Sequence, residues 1–122
     1  MAYALVMTPE VRAWRHDLRK RDRASAIQIG QAIGLLLDAG PELGRPLADR
    51  VHHSRLTNLK ELRPGSAGRS EIRILYIFDP KRNAVLLAAG DKAGKWETWY
   101  RQAIPLAEQR YEDYLKQQED IR

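Results

Sequence analysis

Apolar residues near the N-terminus follow first a strand pattern and then a helix pattern. Residues 3–7, YALVM, form a short apolar run that predicts a strand. Residues 8–10, TPE, are typical of a helix start, because they combine an N-cap hydroxyl, a proline and an acid in the first turn. Val11, Trp14 and Leu18 follow at helical spacing. We therefore predict an amphipathic helix after the first strand.

A second helix is predicted after the charged joint at residues 19–23. One face of this helix is apolar and consists of Ile29, Ala32, Ile33, Leu36 and Leu37. Gly40 and Pro41 end the pattern, since glycine and proline stop helices. The two helices are expected to form a hairpin that covers one side of a sheet. Residues 44–55 are interpreted as a connector.

Alternation with a period of two predicts the strands of that sheet. NLKELR, residues 58–63, is short and alternates imperfectly. In residues 71–79, EIRILYIFD, one face carries Ile72, Ile74, Tyr76 and Phe78, and the other carries Arg73, Leu75 and Ile77. Residues 79–83 are a turn by composition. AVLLAAG, residues 84–90, is then a second central strand that ends at a glycine.

The C-terminal part of the chain is predicted to end in a helix. Residues 91–96, DKAGKW, are interpreted as a loop with two lysines and an aromatic ring. Residues 97–104 show no decisive pattern. Pro105 suits a first helical turn, so the helix is expected to start near it. Its apolar face is Ala107, Tyr111, Tyr114 and Leu115.

This order of elements predicts an α+β fold with the order β-α-α-β-β-β-α. A two-helix hairpin and a C-terminal helix are expected to pack on a small, mainly antiparallel sheet. The length of 122 residues is that of one domain, so we interpret residues 1–122 as a single unit.

Composition narrows the class of protein. The chain has no cysteine, which rules out disulfides and thiolate metal sites. No spacing of histidines and acids resembles a metal site, and nothing indicates a cofactor. The longest apolar run is far too short for a membrane span, and the N-terminus does not resemble a signal peptide. We therefore expect a cytoplasmic protein without membrane contact.

The charge predicts an acidic partner, of which nucleic acid is the first candidate. The formal net charge is +5 and the pI is about 9.7. Residues 45–101 contain twelve basic and six acidic residues, so the positive field belongs to the middle of the chain. A solvated basic surface is the alternative explanation. Several of these cations lie on predicted strands, where burial of an unpaired charge would cost free energy. Their position therefore favours a role in binding an anion.

Short motifs in this basic region resemble the RelE/HigB-like toxins of bacterial type II toxin–antitoxin modules, in the phage-derived HigB-like branch of the RelE/ParE superfamily. NLKELRPG at residues 58–65, RILYIFDPKRNAVLLAAGDKAGK at 73–95 and a terminal helix occur in the same order. The resemblance covers nearly the whole chain. It implies a toxin that is a ribosome-dependent mRNA endoribonuclease, and a cognate antitoxin, commonly a small helix-turn-helix DNA-binding protein.

Metal-independent RNA cleavage requires an aligned 2′-hydroxyl, a stabilised phosphorane and a protonated leaving oxygen. Positioned cations meet most of these needs, because an arginine fork binds phosphate and a lysine among cations titrates nearer neutrality. The catalytic candidates are Lys60, Arg63, Arg73 and Lys92. We expect Arg63 and Arg73 on the phosphate, and Lys60 as a proton-transfer or electrostatic residue. Arg63 has an alternative structural role, in which it pairs with Glu61 or Glu71.

Four further residues are predicted to bind RNA. They are Arg69, Lys95, Trp96 and His53. Lys92 and Lys95 are expected to bind the backbone, or one of them to protonate the leaving group. Trp96 is suited either to stacking on bases or to packing the last helix against the sheet. Trp99 is expected to pack in the core. His52 and His53 are adjacent on a segment read as extended, so at most one is expected to face the site.

The resemblance also implies a C-terminal tyrosine that aligns the nucleotide, for which Tyr100, Tyr111 and Tyr114 are candidates. Tyr111 and Tyr114 lie on the apolar face of the predicted helix, so we expect them to pack in the core. Two functions compete with the ribonuclease. One is inhibition of DNA gyrase without catalysis, as in ParE-like toxins. The other is RNA binding without cleavage.

Overall fold

A five-stranded sheet lies between two layers of helix. The computed structural model describes residues 3–65, 68 and 70–120. In chain order the elements are β1 (Leu5–Met7), α1 (Pro9–Arg21), α2 (Arg23–Ala39), a 3-10 turn (Gly40–Glu42), β2 (Ala48–Arg50), β3 (Lys60–Leu62), β4 (Ile72–Phe78), β5 (Ala84–Asp91) and α3 (Trp96–Asp120). The predicted α+β class, with helices packed on a mainly antiparallel sheet, is confirmed.

Local capping explains why the helical hairpin forms where the sequence predicts it. The Thr8 hydroxyl accepts a hydrogen bond from the Val11 amide at 3.3 Å, and proline follows Thr8 at the first helical position. Asp22 separates the helices and caps α2 by accepting from the Ser25 amide at 3.1 Å. Gly40, with φ of 70°, ends α2, since glycine adopts this left-handed backbone without strain.

The sheet has the strand order β1-β5-β4-β3-β2. β1 pairs with β5 in parallel, and the other pairs are antiparallel. The connector predicted at residues 44–55 is wrong in part, because β2 lies within it and pairs residue by residue with β3. A three-residue strand has too few positions for a detectable alternation, so only its pairing with β3 defines it.

The two faces of β4 bury two separate cores, as its alternation predicts. Ile72, Ile74 and Tyr76 pack in the core beneath α1 and α2, whereas Leu75 and Ile77 pack in the core beneath α3. Tyr111 and Tyr114 are buried in the second core, which confirms their structural role.

The start predicted for the last helix is wrong. α3 begins at Trp96, nine residues before Pro105, which lies inside the helix. An internal proline costs one backbone hydrogen bond, and such a residue normally ends a helix. Here Ala103 and Ala107 on either side of it are buried against the sheet, and this packing holds the helix through the proline. None of the described helices is long and apolar enough to cross a membrane.

Candidate functional site

β3, β4 and the β5–α3 loop bring three of the predicted cations together on the α3 side of the sheet. These are Arg63, Arg73 and Lys92. Arg63 lies two residues after Glu61 of β3, so the two side chains share a face. Arg73 lies opposite Gly90 in the β4–β5 register, just before the loop that carries Lys92.

The carboxylate of Glu61 lies at the centre of this group. Its side chain is only 5% exposed. Oε2 accepts from Nε of Arg63 at 2.7 Å, and Nε of Arg73 lies 3.9 Å from the same oxygen. Oε1 accepts from the Tyr100 hydroxyl at 2.6 Å. The buried charge of Glu61 is therefore compensated by two guanidinium groups and a hydroxyl. Arg63 pairs with Glu61, as its alternative structural role requires.

Arg73 retains one donor without an acceptor. Its Nη1 donates to the Ile72 carbonyl at 2.9 Å. Its Nε is buried and has no hydrogen-bond partner among the described residues. A buried donor without an acceptor lowers the free energy of unfolding. An acceptor that reached this N–H would therefore be bound favourably.

Lys92 is buried beside two aromatic rings. Its ammonium lies 4.1 Å from the ring centre of Trp96 and 5.6 Å from that of Tyr100. Oε2 of Glu71 is 3.7 Å away. Burial, and after it the charge of Arg73, lowers the pKa of Lys92, and Glu71 only partly opposes this shift. Lys92 thus loses its proton more readily than an exposed lysine does.

The N-terminal end of α3 approaches the sheet closely enough for Tyr100 to reach Glu61. Gly90 allows this approach, because a Cβ at that position would overlap the Trp99 indole. Burial, followed by the hydrogen bond to Glu61, raises the pKa of Tyr100. The phenol therefore stays protonated at neutral pH and remains a donor to Glu61.

A pocket of about 530 Å³ opens beside the cluster. We call it the β3–α3 pocket. It is lined by Asp49, Arg50, Val51, His52, His53, Glu61, Arg63, Trp96, Glu97, Tyr100, Arg101 and Ile104. Glu61 and Arg63 are thus accessible from the pocket. Arg73 and Lys92 are not among its lining residues but neighbour two of them, Glu61 and Trp96.

Both histidines are among the residues that line the pocket. The expectation that at most one would face the site assumed an extended backbone. His53 instead has a φ of 66°, in the left-handed region, so the backbone is not extended there. The pocket lining combines three carboxylates, three guanidinium groups, two imidazoles and two aromatic rings.

A family model described as "Phage derived protein Gp49-like (DUF891)" matches residues 16–112. The chain belongs to the Gp49-like family. It is also similar to two proteins of Mycobacterium tuberculosis (strain ATCC 25618 / H37Rv). It is 48% identical to one named "Putative toxin HigB2" over 92% of this chain and 54% of that protein. It is 49% identical to "Putative toxin HigB3" over 92% of this chain and 93% of that protein.

These relatives confirm the resemblance to HigB-like proteins that the motifs indicate. The Gp49-like chain spans about half the length of the first relative and nearly all of the second. No solved structure matches it.

Lys60 does not join the site of this Gp49-like protein. Its Nζ donates to the Pro41 carbonyl at 2.7 Å, beneath the helical hairpin. Lys60 lies one residue before Glu61 on β3, and successive strand residues point to opposite faces. The structure therefore separates Lys60 from Arg63, Arg73 and Lys92.

The predicted RNA-binding residues are placed differently from one another. Trp96 is 60% exposed at the rim of the pocket, and His53 lines its wall. Lys95 is exposed in the loop before α3 and does not line the pocket. Arg69 lies outside the described residues.

Glu61 and the placement of Tyr100 escaped the sequence reasoning. The spacing in KELR was available as a signal, because it puts Glu61 and Arg63 on the same strand face. Nothing in the sequence indicates that Tyr100, 39 residues later, donates to that carboxylate. Among the described residues, no group of three histidines and acids is arranged to hold a metal ion.

Proposed function

We propose that this Gp49-like protein is the toxin of a toxin–antitoxin module and cleaves mRNA in the translating ribosome. The observation that carries the proposal is the shared pocket of Glu61, Arg63 and the two histidines, with two more cations beside it. A proton acceptor, a phosphate-binding fork and a proton donor for RNA cleavage thus lie in one cavity. The similarity to two proteins named as toxins supports the same assignment.

In the proposed reaction, Glu61 accepts the proton of the RNA 2′-hydroxyl. The freed oxygen attacks the adjacent phosphorus, and the bond from phosphorus to the 5′-oxygen breaks. The histidine pair, His52 and His53, supplies the proton that the leaving 5′-oxygen takes up. The products are a 2′,3′-cyclic phosphate and a free 5′-hydroxyl, so the reaction consumes no other reactant.

Arg63 is the proposed direct ligand of the phosphate, because among Arg63, Arg73 and Lys92 it is the one that lines the pocket. Its planar fork matches two phosphate oxygens. Arg73 and Lys92 act from beside the pocket lining, where they hold Glu61 and add positive potential for the phosphorane. The exposed ring of Trp96 offers a stacking surface for a base at the pocket rim.

The proposed partner in the cell is a cognate antitoxin, of the small helix-turn-helix type that the resemblance implies. It would neutralise the toxin by covering the β3–α3 pocket or by displacing α3. Ribosomal mRNA as the substrate places the protein in the cytoplasm.

The test is a reconstituted translation reaction with a defined mRNA, run with and without ribosomes. We expect cuts inside translated codons in the presence of ribosomes, with 2′,3′-cyclic phosphate ends. If mRNA stays intact while expression still arrests growth, the ribonuclease proposal is wrong. A gyrase supercoiling assay then tests the ParE-like alternative. RNA that is bound but never cut would indicate the non-catalytic alternative.

Replacement of Lys60 by glutamine should leave the cleavage rate within about twofold of wild type. The reason is that Lys60 lies on the other face of the sheet. Loss of its bond to Pro41 should lower the free energy of unfolding by about 1 kcal/mol. Cleavage kinetics and a urea titration measure the two effects. A large loss of cleavage in a folded variant would return Lys60 to the site.

Cleavage should weaken on the alkaline side because Lys92 has a lowered pKa. A lowered pKa means that Lys92 becomes neutral at a lower pH than an exposed lysine does. The neutral amine carries no positive charge that could stabilise the phosphorane. Replacing Lys92 by arginine, which stays charged, should recover about tenfold in kcat/KM at the alkaline end of a profile between about pH 7 and 10. An identical alkaline limb in both proteins would contradict this role.

A further inference from the structure

A second set of cations lies on α1, away from the β3–α3 pocket. Arg12, Arg15, His16 and Arg19 line one groove of about 390 Å³. We call these four residues the α1 basic stripe. α1 packs beneath the sheet face opposite α3, so the stripe and the pocket lie on different sides of the molecule.

The stripe arises from helical spacing. Positions 12, 15, 16 and 19 repeat at intervals of three and four residues, which places them on one side of a helix. The helix buries Val11 and Leu18 on a different side. The arginines from Arg12 to Arg19 extend over about 10 Å along the helix axis.

None of the three arginines in the stripe forms an ion pair among the described residues. Glu10, an acid of the same helix, lies 3.8 Å from Nε of Arg110 and lines a different groove with it. Partial burial, and then the charge of Arg19, lowers the pKa of Arg15. Uncompensated like charges repel, so this arrangement favours an anionic ligand that relieves the repulsion.

The chemistry of the stripe favours phosphate over other anionic surfaces. Three of its members are arginines, whose forks match phosphate oxygens. The exposed large hydrophobic side chains among the described residues are Ile27, Leu35, Trp96 and Leu106, none of which is on α1. The groove also contains Met7, Pro9 and Ala13, but α1 offers none of the exposed large hydrophobic side chains that are typical anchors of protein interfaces and of helices that insert into membranes.

We propose that the α1 basic stripe binds the phosphate backbone of structured RNA. A duplex presents a phosphate about every 3.4 Å along each strand, so the stripe spans several of them. Contact on the face opposite the pocket fits an RNA particle that surrounds the protein. The assignment of that particle as the ribosome rests on the proposed function. The stripe then anchors the protein on ribosomal RNA while the pocket receives mRNA.

The test compares two charge-matched double variants of the full chain. Arg12→Gln with Arg19→Gln removes two exposed stripe cations, and Lys81→Gln with Lys116→Gln removes two exposed cations elsewhere. The probe is a labelled 2′-O-methyl RNA hairpin of about 20 base pairs, titrated between about 50 and 200 mM salt. This hairpin lacks the attacking 2′-hydroxyl, so cleavage does not disturb the measurement.

The stripe variant should raise Kd for the hairpin about tenfold or more, and should reduce the slope of log K against log salt by about two. The control variant should change both much less. In ribosomal cleavage, the stripe variant should raise KM and leave kcat unchanged. Thermal unfolding monitored by circular dichroism checks that both variants are folded.

Equal weakening by the two double variants would overturn the proposal, since the overall charge would then explain binding. Unchanged hairpin binding, or a loss of binding to phosphatidylglycerol vesicles alone, would overturn it as well. If the stripe variant behaves as expected but mRNA stays intact in translation, only the cleavage proposal fails. If mRNA is cut and the stripe variant binds like the control, only the stripe proposal fails.

Discussion

Replacement of Glu61 by glutamine is expected to slow mRNA cleavage by about 10²- to 10⁴-fold, the range of a lost general base. Glutamine keeps the shape of the side chain, but its single oxygen can accept from only one of Tyr100 and Arg63, which donate to different oxygens of Glu61. It does not take the proton of a 2′-hydroxyl. Single-turnover cleavage on the ribosome, at saturating enzyme, isolates this chemical step from binding.

A matched control for this variant is Glu97→Gln. Glu97 also lines the β3–α3 pocket, but its side chain is 85% exposed and only 4.0 Å from Arg101. Removal of its charge should change the cleavage rate less than about threefold. If Glu61→Gln cleaves like wild type while RNA binding is intact, Glu61 is a structural counter-ion for Arg63 and Arg73, and another group is the base.

Replacement of Arg63 by alanine should lower kcat by about 10²- to 10³-fold, because it removes a donor to the phosphorane. Replacement of Arg73 by alanine should act differently. Arg73 is not among the residues that line the β3–α3 pocket, and its Nε lies 3.9 Å from Oε2 of Glu61. Its loss should cost about tenfold in kcat and about 2 kcal/mol of stability, since the buried Glu61 carboxylate keeps one cation fewer.

The contrast between the two arginines is the informative result. We expect Arg73→Lys to restore stability and most of kcat, because a positive charge beside Glu61 is what the position requires. Arg63→Lys should restore little of kcat, since an ammonium lacks the planar fork. Cleavage kinetics and denaturant titrations of the four variants separate the roles. A larger kcat loss for Arg73 than for Arg63 would place Arg73 on the phosphate instead.

The elements that could be predicted from the sequence are those with strong local rules. Thr8 and Pro9 mark the start of α1, because a hydroxyl cap and a proline act within one turn. The alternation of β4 predicted both its faces, because each side chain position follows directly from the backbone pleat. The prediction of an anionic ligand from the basic middle of the chain stays a prediction.

Predictions failed where the backbone conformation of a residue differs from the one that its local sequence favours. Pro105 reads as a helix start, yet the packing of Ala103 and Ala107 on the sheet keeps it inside α3. His53 was expected on an extended segment, yet its backbone turns into the left-handed region. At Pro105, tertiary packing outweighs a local preference worth a few kcal/mol.

The sequence by itself determined the order of the elements apart from β2, the division of the core between two sheet faces and the net positive charge. These properties depend on neighbours within a few positions along the chain. Only the tertiary structure decided which charges meet. It placed Lys60 under the helical hairpin and brought Tyr100 to Glu61, because strand register and the close approach of α3 at Gly90 join residues that are far apart in sequence.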